Sequence, residues 1–141
     1  MFELNHQLAA DTLVLGDLPL SQMLLMNDAN YPWIILVPRR LNIQENYQLS
    51  HSDQQQLMKE SNEVGRLMMQ YFNGDKLNVA ALGNIVSQLH IHHVVRFETD
   101  LAWPNPVWGA YPALKYNESK LFEICEELSA LFIKELGMKS C

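Results

Sequence analysis

Short apolar runs separated by turn residues dominate the first part of the chain. Residues 12–15 and 20–26 flank a turn sequence in which Gly16 can supply the positive φ of a hairpin. After a polar turn, the β-branched and aromatic run 33–37 ends at Pro38. This pattern predicts three consecutive strands, with the third inside the sheet.

Helical spacing replaces the strand pattern after residue 50. Apolar residues recur every three or four positions over residues 57–72. Ser52 and Gln55 fit a capping box at the start of this stretch, and Asn73-Gly74 is typical of a helix end. The sequence therefore predicts a long helix here.

Two more strands and a second helix follow. Residues 77–82 and 89–97 have strand character, and an apolar helical stripe covers residues 121–132 and ends at Gly137. Two helices on one sheet predict an α+β layered fold. A length of 141 residues is typical of one domain, which we place over residues 1–141.

Composition narrows the class of protein. With 48% hydrophobic and 18% charged residues the chain can bury a substantial core, and its net charge of -6 argues against general binding to nucleic acids or anionic membranes. Cys125 and Cys141 are too distant in sequence to indicate a disulfide framework or a cysteine metal site. The first twenty residues lack the basic and apolar regions of a secretory signal, so we expect a cytoplasmic protein.

The segment 88–96 carries the most chemistry. Three of the five histidines lie in it. Because successive side chains of a strand alternate between faces, Gln88, His90 and His92 are predicted to share one face, with His93 on the other. The two imidazoles of one row would then lie about 6–7 Å apart, within reach of one phosphate or one metal ion.

The residues alone leave three interpretations of this row. The histidines are incidental to the strand, although histidine is not a strong strand former. They bind a metal ion, although no Cys, Asp or Glu nearby completes a ligand set. They handle phosphate, with one neutral imidazole as the nucleophile and its neighbour as a donor to phosphate oxygens.

The row resembles the motif of the histidine triad (HIT) family, His-φ-His-φ-His-φ-φ, in which φ is apolar. His90 and His92 match the second and third histidines, and Gln88 stands at the first. The similarity extends over residues 12–108 and includes the strand that ends in Pro38-Arg39. It implies an α+β HIT-like fold with about five antiparallel strands and two main helices, and a homodimer that uses the long helix or the fourth strand.

The resemblance also implies roles for individual residues. His90 would attack the α-phosphate of a nucleotide and form a nucleotidyl-histidine intermediate that water resolves. His92 would contact the phosphate or the leaving group, and Gln88 would support the nucleophile or reach phosphate oxygens. The implied nucleotide-binding residues are Asn27 at the ribose, Leu25 and Ile35 at the base, and Asn84 at the phosphates.

The implied function is a nucleotide hydrolase or transferase that needs no metal or organic cofactor. The alternative is a nucleotide-binding or regulatory module without efficient turnover, because Gln88 replaces the first histidine. His93 stands where the family has an apolar residue, and we expect it to be hydrogen-bonded or to face a dimer partner. The aromatic loop 103–108 either forms a wall of the substrate site or packs at the rim of the sheet.

Overall fold

Residues 1–140, which the computed structural model describes, form six strands and two long helices. The elements in chain order are α1 (His6–Asp11), β1 (Thr12–Asp17), β2 (Ser21–Met26), β3 (Trp33–Pro38), α2 (His51–Phe72), β4 (Lys76–Ala80), β5 (Ile91–Arg96), α3 (Glu118–Leu136) and β6 (Lys139–Ser140). None of the helices in this part of the chain is long and apolar enough to cross a membrane.

The six strands form one antiparallel sheet with the order β4-β5-β3-β2-β1-β6. The predicted α+β fold with two main helices is confirmed, and all five predicted strands are present. The sixth strand, β6, pairs with Gly16 and Asp17 of β1. Two residues are too short to leave a periodic pattern, which is why the sequence did not predict it.

The start of α2 differs from the predicted capping box. Ser50 is the N-cap, and its hydroxyl accepts a hydrogen bond from the backbone N–H of Asp53. Ser52 and Gln55 therefore lie inside the helix, and the box predicted from them is wrong. The predicted end is confirmed: Asn73 adopts a left-handed conformation with φ of 52° and its N–H bonds to the carbonyl of Met69.

The two faces of the sheet are covered differently. α2 and α3 pack on one face, in a core that includes Leu25, Ile34, Met68, Val95 and Phe132. The opposite face is covered by α1 and by the loop after β5, in a second apolar cluster that includes Leu8, Leu24, Ile35, Val94 and Val107. Because His92 pairs directly with Ile35, its side chain shares this second face.

A buried ion pair fixes the loop after β5. The guanidinium of Arg96 donates to both carboxylate oxygens of Asp100, at 2.8 and 3.0 Å, and the two side chains are 2% and 4% exposed. Its remaining donors bond the side-chain oxygen of Asn78 on β4 and the carbonyl of Asn105, each at 2.9 Å. These bonds attach the loop to the sheet at several points.

The carboxyl of Asp100 is held in its charged form. Burial opposes the charge, but the Arg96 guanidinium and the backbone N–H groups of Phe97 and Trp103 outweigh burial and lower the pKa of Asp100 below its ordinary value. Because the folded-state pKa is lowered, the pair stabilises the protein fully above the unfolded pKa. That stabilisation disappears as the pH falls through the folded-state value.

We expect Asp100→Asn to lower the free energy of unfolding by about 3 kcal/mol near pH 7, because it leaves Arg96 buried without a counter-charge. The difference from the wild type should stay constant down to about pH 5 and shrink below about pH 4. Urea unfolding at several pH values measures it. The matched control is Asp53→Asn, which breaks the exposed pair with Arg40 and should cost less than about 1 kcal/mol. Equal losses in both variants would contradict this account.

Candidate active site

A groove of about 410 Å³ opens on the face of the sheet that the long helices leave free. Its floor carries His90 and His92, and we call it the histidine groove. Its walls come from α1, from the loop between β4 and β5, and from the loop after β5. The wall residues include Leu8, Asp11, Met26, Asp28, Trp33, Asn84, Val86, Val107, Trp108 and Tyr111.

His90 lies one residue before β5 and is fixed by the backbone. Its Nδ1 lies 2.7 Å from the carbonyl oxygen of Gln88. A carbonyl oxygen only accepts hydrogen bonds, so Nδ1 of His90 carries the proton. In the neutral ring Nε2 then holds the lone pair, and the ring lines the histidine groove. His90 is thus oriented as a nucleophile or a hydrogen-bond acceptor.

His92 lies beside His90 with its ring edge turned to it, as the predicted row requires. The ring centroids are 4.9 Å apart and the planes are inclined by 71°. Burial, together with the neighbouring imidazoles of His90 and His93, lowers the pKa of His92 to about 3. His92 is therefore neutral at physiological pH. It can donate or accept a hydrogen bond, but it carries no charge.

Gln88 lies next to this pair but its side chain points elsewhere. The carboxamide oxygen accepts from the backbone N–H of Asn5, and the carboxamide nitrogen donates to the carbonyl of Glu3, both at 2.9 Å. Gln88 thus acts on the site in two ways. Its main-chain carbonyl holds His90, and its side chain attaches the segment that leads into α1.

Two of the predicted nucleotide-binding residues lie at or beneath the histidine groove. Asn84 lines it from the loop between β4 and β5. Ile35 is completely buried below it, in the same apolar cluster as Trp33. Ile35 therefore supports the groove floor instead of forming its surface.

Leu25 and Asn27 are not among the residues that line the groove. Leu25 points to the opposite face and packs in the core under the helices, so its predicted place at the base is wrong. Its neighbour Met26 lines the groove instead. The side-chain oxygen of Asn27 accepts from the backbone N–H of Tyr116 and so attaches the segment before α3.

Sequence reasoning missed the acidic residues of the groove. Asp28 is 4% exposed, and one of its carboxylate oxygens accepts from the backbone N–H groups of Asn30 and Leu114. Asp11 comes from α1, a helix of six residues that the pattern did not reveal. The only available signal for Asp28 was its place after an apolar strand, where polar site residues often follow.

The aromatic loop after β5 has one tryptophan that lines the groove and one that packs on Arg96. Trp108 forms a wall of the groove, and its ring centroid lies 5.4 Å from that of His92. Trp103 instead packs on the guanidinium of Arg96, 5.5 Å from the ring centroid. The buried ion pair of Arg96 therefore holds the loop that brings Trp108 to the histidines.

His93 points away from the groove, as the alternation along β5 predicts. It is completely buried under α2, and its Nε2 lies 2.7 Å from the hydroxyl of Ser61. Burial lowers the pKa of His93 to about 4.

His93 cannot bind one metal ion together with His90 and His92, because it lies on the other side of the sheet. Within residues 1–140, no three His, Cys, Asp or Glu residues cluster as metal ligands would.

The family model described as the HIT domain matches residues 7–99 of this chain. The match covers strands β1 to β5, α2 and both groove histidines. No curated protein matches the chain.

Solved structures of histidine triad proteins are similar over nearly the whole chain. The protein from Marinobacter aquaeolei is 49% identical with a TM-score of 0.93, and the one from Bradyrhizobium japonicum is 41% identical with a TM-score of 0.88; each comparison covers 96% of this chain and 98% of the other. The C. elegans NitFhit protein is 15% identical over 86% of this chain and 27% of its own length. Its TM-score of 0.63 shows the fold alone.

We expect Gln88→Ala to loosen the N-terminal segment, because both side-chain hydrogen bonds disappear. Amide exchange at Asn5 should become about tenfold faster, the order expected for one lost hydrogen bond. Gln88→Glu is the matched variant: it keeps the acceptor for the Asn5 N–H and loses only the donor to Glu3. Hydrogen exchange followed by NMR measures both. Unchanged exchange at Asn5 in Gln88→Ala would contradict the proposed attachment.

Proposed function

The chain belongs to the histidine triad family, and we propose that it hydrolyses or transfers a nucleotide by attack of His90 on the α-phosphate of a nucleotide conjugate. The observation that carries this proposal is the hydrogen bond from Nδ1 of His90 to the carbonyl of Gln88. It leaves the lone pair on Nε2, the nitrogen that has no partner among residues 1–140. A neutral imidazole held in this way is a ready nucleophile.

The reaction proceeds in two displacements at phosphorus. The Nε2 lone pair of His90 forms a P–N bond as the bond from phosphorus to the leaving group breaks, and the leaving group departs with the electron pair and takes up a proton from solvent. Water then attacks the same phosphorus and breaks the P–N bond. The products are a nucleoside monophosphate and the restored imidazole, and an alcohol or amine acceptor in place of water makes the same step a transfer.

The Gln88 carbonyl also stabilises the intermediate. When Nε2 bonds to phosphorus, the His90 ring becomes cationic, and its Nδ1–H then donates more strongly to the carbonyl. His92 lies close enough to hydrogen-bond a phosphate oxygen or the leaving group as negative charge develops there. Trp108 and the apolar wall residues are suited to the base and ribose.

The charges of the groove favour a substrate with little negative charge. Its wall includes the carboxylates of Asp11 and Asp28 and, within residues 1–140, no lysine or arginine. A polyphosphate chain would meet these carboxylates without a compensating cation. We therefore propose a conjugate with a single phosphate and a neutral or cationic leaving group, such as a nucleoside phosphoramidate.

A nucleotide-binding or regulatory module is the second candidate. Gln88 favours this candidate, because both polar atoms of its side chain form hydrogen bonds with the N-terminal segment. No side chain at that position then assists the histidine pair. Such a module would bind nucleotide in the same groove and release no product.

We also propose that the protein acts as a homodimer in the cytoplasm. β4 is an edge strand of the sheet, and Val79 on it is 50% exposed. Met58 of α2 is 67% exposed, and Met58 and Val79 both line the same surface depression. An open strand edge next to exposed apolar side chains suits pairing with a second copy.

Mass-spectrometric product analysis tests the reaction. Wild-type protein with chelator should release AMP from adenosine phosphoramidate faster than from diadenosine polyphosphates, and His90→Ala should be slower by at least about a thousandfold. The matched control is His51→Ala, at the exposed start of α2, which should retain full activity. AMP release that survives His90→Ala would contradict the mechanism. Nucleotide binding without any product in the wild type would favour the module.

Light scattering tests the dimer. Val79→Lys should raise the dissociation constant of the dimer by at least about tenfold, because a charge would be buried against apolar surface. Val14→Lys is the matched control, since Val14 is 38% exposed on β1, four strands away from β4. A monomeric wild type, or equal weakening by both variants, would contradict this interface.

A further inference from the structure

Trp33 opens β3 and is the one polar contact of His92 within residues 1–140. It pairs with Val94, so His92 lies diagonally across from it on the same face of the sheet. The indole Nε1 lies 3.0 Å from Nδ1 of His92, and the indole is 7% exposed. The contact is thus a buried hydrogen bond between two side chains of the groove floor.

The direction of this hydrogen bond decides the tautomer of His92. An indole N–H only donates, so Nδ1 of His92 must hold a lone pair. Because the ring is neutral, its single proton is on Nε2. Burial alone keeps the ring neutral but does not select between the two nitrogens. The indole makes that selection.

The two neighbouring imidazoles are therefore held in opposite tautomers. His90 has its proton on Nδ1 and a free lone pair on Nε2, because it faces a carbonyl. His92 has its lone pair on Nδ1 and its proton on Nε2, because it faces an indole. His90 can attack phosphorus through the lone pair of Nε2, and His92 beside it can donate a hydrogen bond from Nε2–H.

We propose that Trp33 is a positioning residue that fixes His92 as an Nε2–H hydrogen-bond donor to the reacting phosphate. This role toward phosphate rests on the proposed function. In the other tautomer the lone pair of Nε2 would face the phosphate oxygens and repel them, and the buried indole N–H would lose its acceptor. Trp33 thus fixes the tautomer of His92 as the Gln88 carbonyl fixes the tautomer of His90.

Trp108 provides a matched comparison within the same site. Both indoles meet His92 edge to face, with centroids 5.6 Å away for Trp33 and 5.4 Å away for Trp108. The indole nitrogen of Trp108, however, has no hydrogen-bond partner among the described residues. Trp33→Phe keeps a smaller aromatic ring but removes the hydrogen bond to His92, whereas Trp108→Phe makes the ring smaller without removing a hydrogen bond.

Nitrogen NMR of protein labelled with ¹⁵N-histidine and ¹⁵N-tryptophan, recorded at pH 7 without substrate, tests the tautomers directly. In the wild type we expect His90 to be protonated on Nδ1 and His92 on Nε2. A scalar coupling across the hydrogen bond should join the Trp33 indole to Nδ1 of His92. Protonation of His92 on Nδ1, or the absence of this coupling, would overturn the proposal without any variant.

The variants then separate positioning from packing. Trp33→Phe should shift both nitrogen resonances of His92 and leave those of His90 in place, whereas Trp108→Phe should preserve the Nε2–H form of His92. With adenosine phosphoramidate, Trp33→Phe should lower kcat about tenfold with KM within about twofold, as expected for one lost hydrogen bond used in the transition state. Unchanged His92 resonances in Trp33→Phe would overturn the proposal. The NMR measurement does not depend on turnover. A wild type that is inactive but holds His90 and His92 in opposite tautomers would refute only the proposed reaction and would leave the role of Trp33 intact.

Discussion

The alternation of side chains along β5 is the constraint on which the rest of the site depends. It sends His92 to the face that the long helices leave free and His93 to the face under α2. Each imidazole then meets a different partner: a carbonyl for His90, an indole for His92 and a hydroxyl for His93. Three histidines within four residues are thus held by three different groups, because each hydrogen-bond partner comes from a different part of the fold.

The groove combines the neutral ring of His92 with carboxylates in its wall. The pKa of His92 is lowered to about 3 by burial and by its imidazole neighbours, so this ring offers a directed dipole and not a charge. Asp28 is buried close by and is satisfied by backbone N–H groups. Fixed donors and acceptors in a buried site need little reorganisation when charge develops on a phosphate, which is the main advantage of such an arrangement.

Strong local patterns made much of this fold predictable. The five main strands, the two long helices and the pairing of His90 with His92 follow from periodicity and from the alternation rule. The placement of Leu25 failed because β2 is apolar on both faces, so its pattern does not reveal which side chains face the groove. α1 and β6 were missed because they are short and are held by distant contacts. The contact of Gln88 with Glu3 and Asn5 spans more than eighty residues, and no local pattern encodes such a pairing.

The proposed reaction depends on a covalent bond between the α-phosphorus and His90. The stereochemical course at phosphorus tests it most directly, with a nucleoside phosphoramidate made chiral by sulfur and cleaved in ¹⁸O water. Two in-line displacements, one by His90 and one by water, predict net retention of configuration. Inversion would mean that water attacks phosphorus in a single step, and it would contradict the nucleotidyl-histidine intermediate.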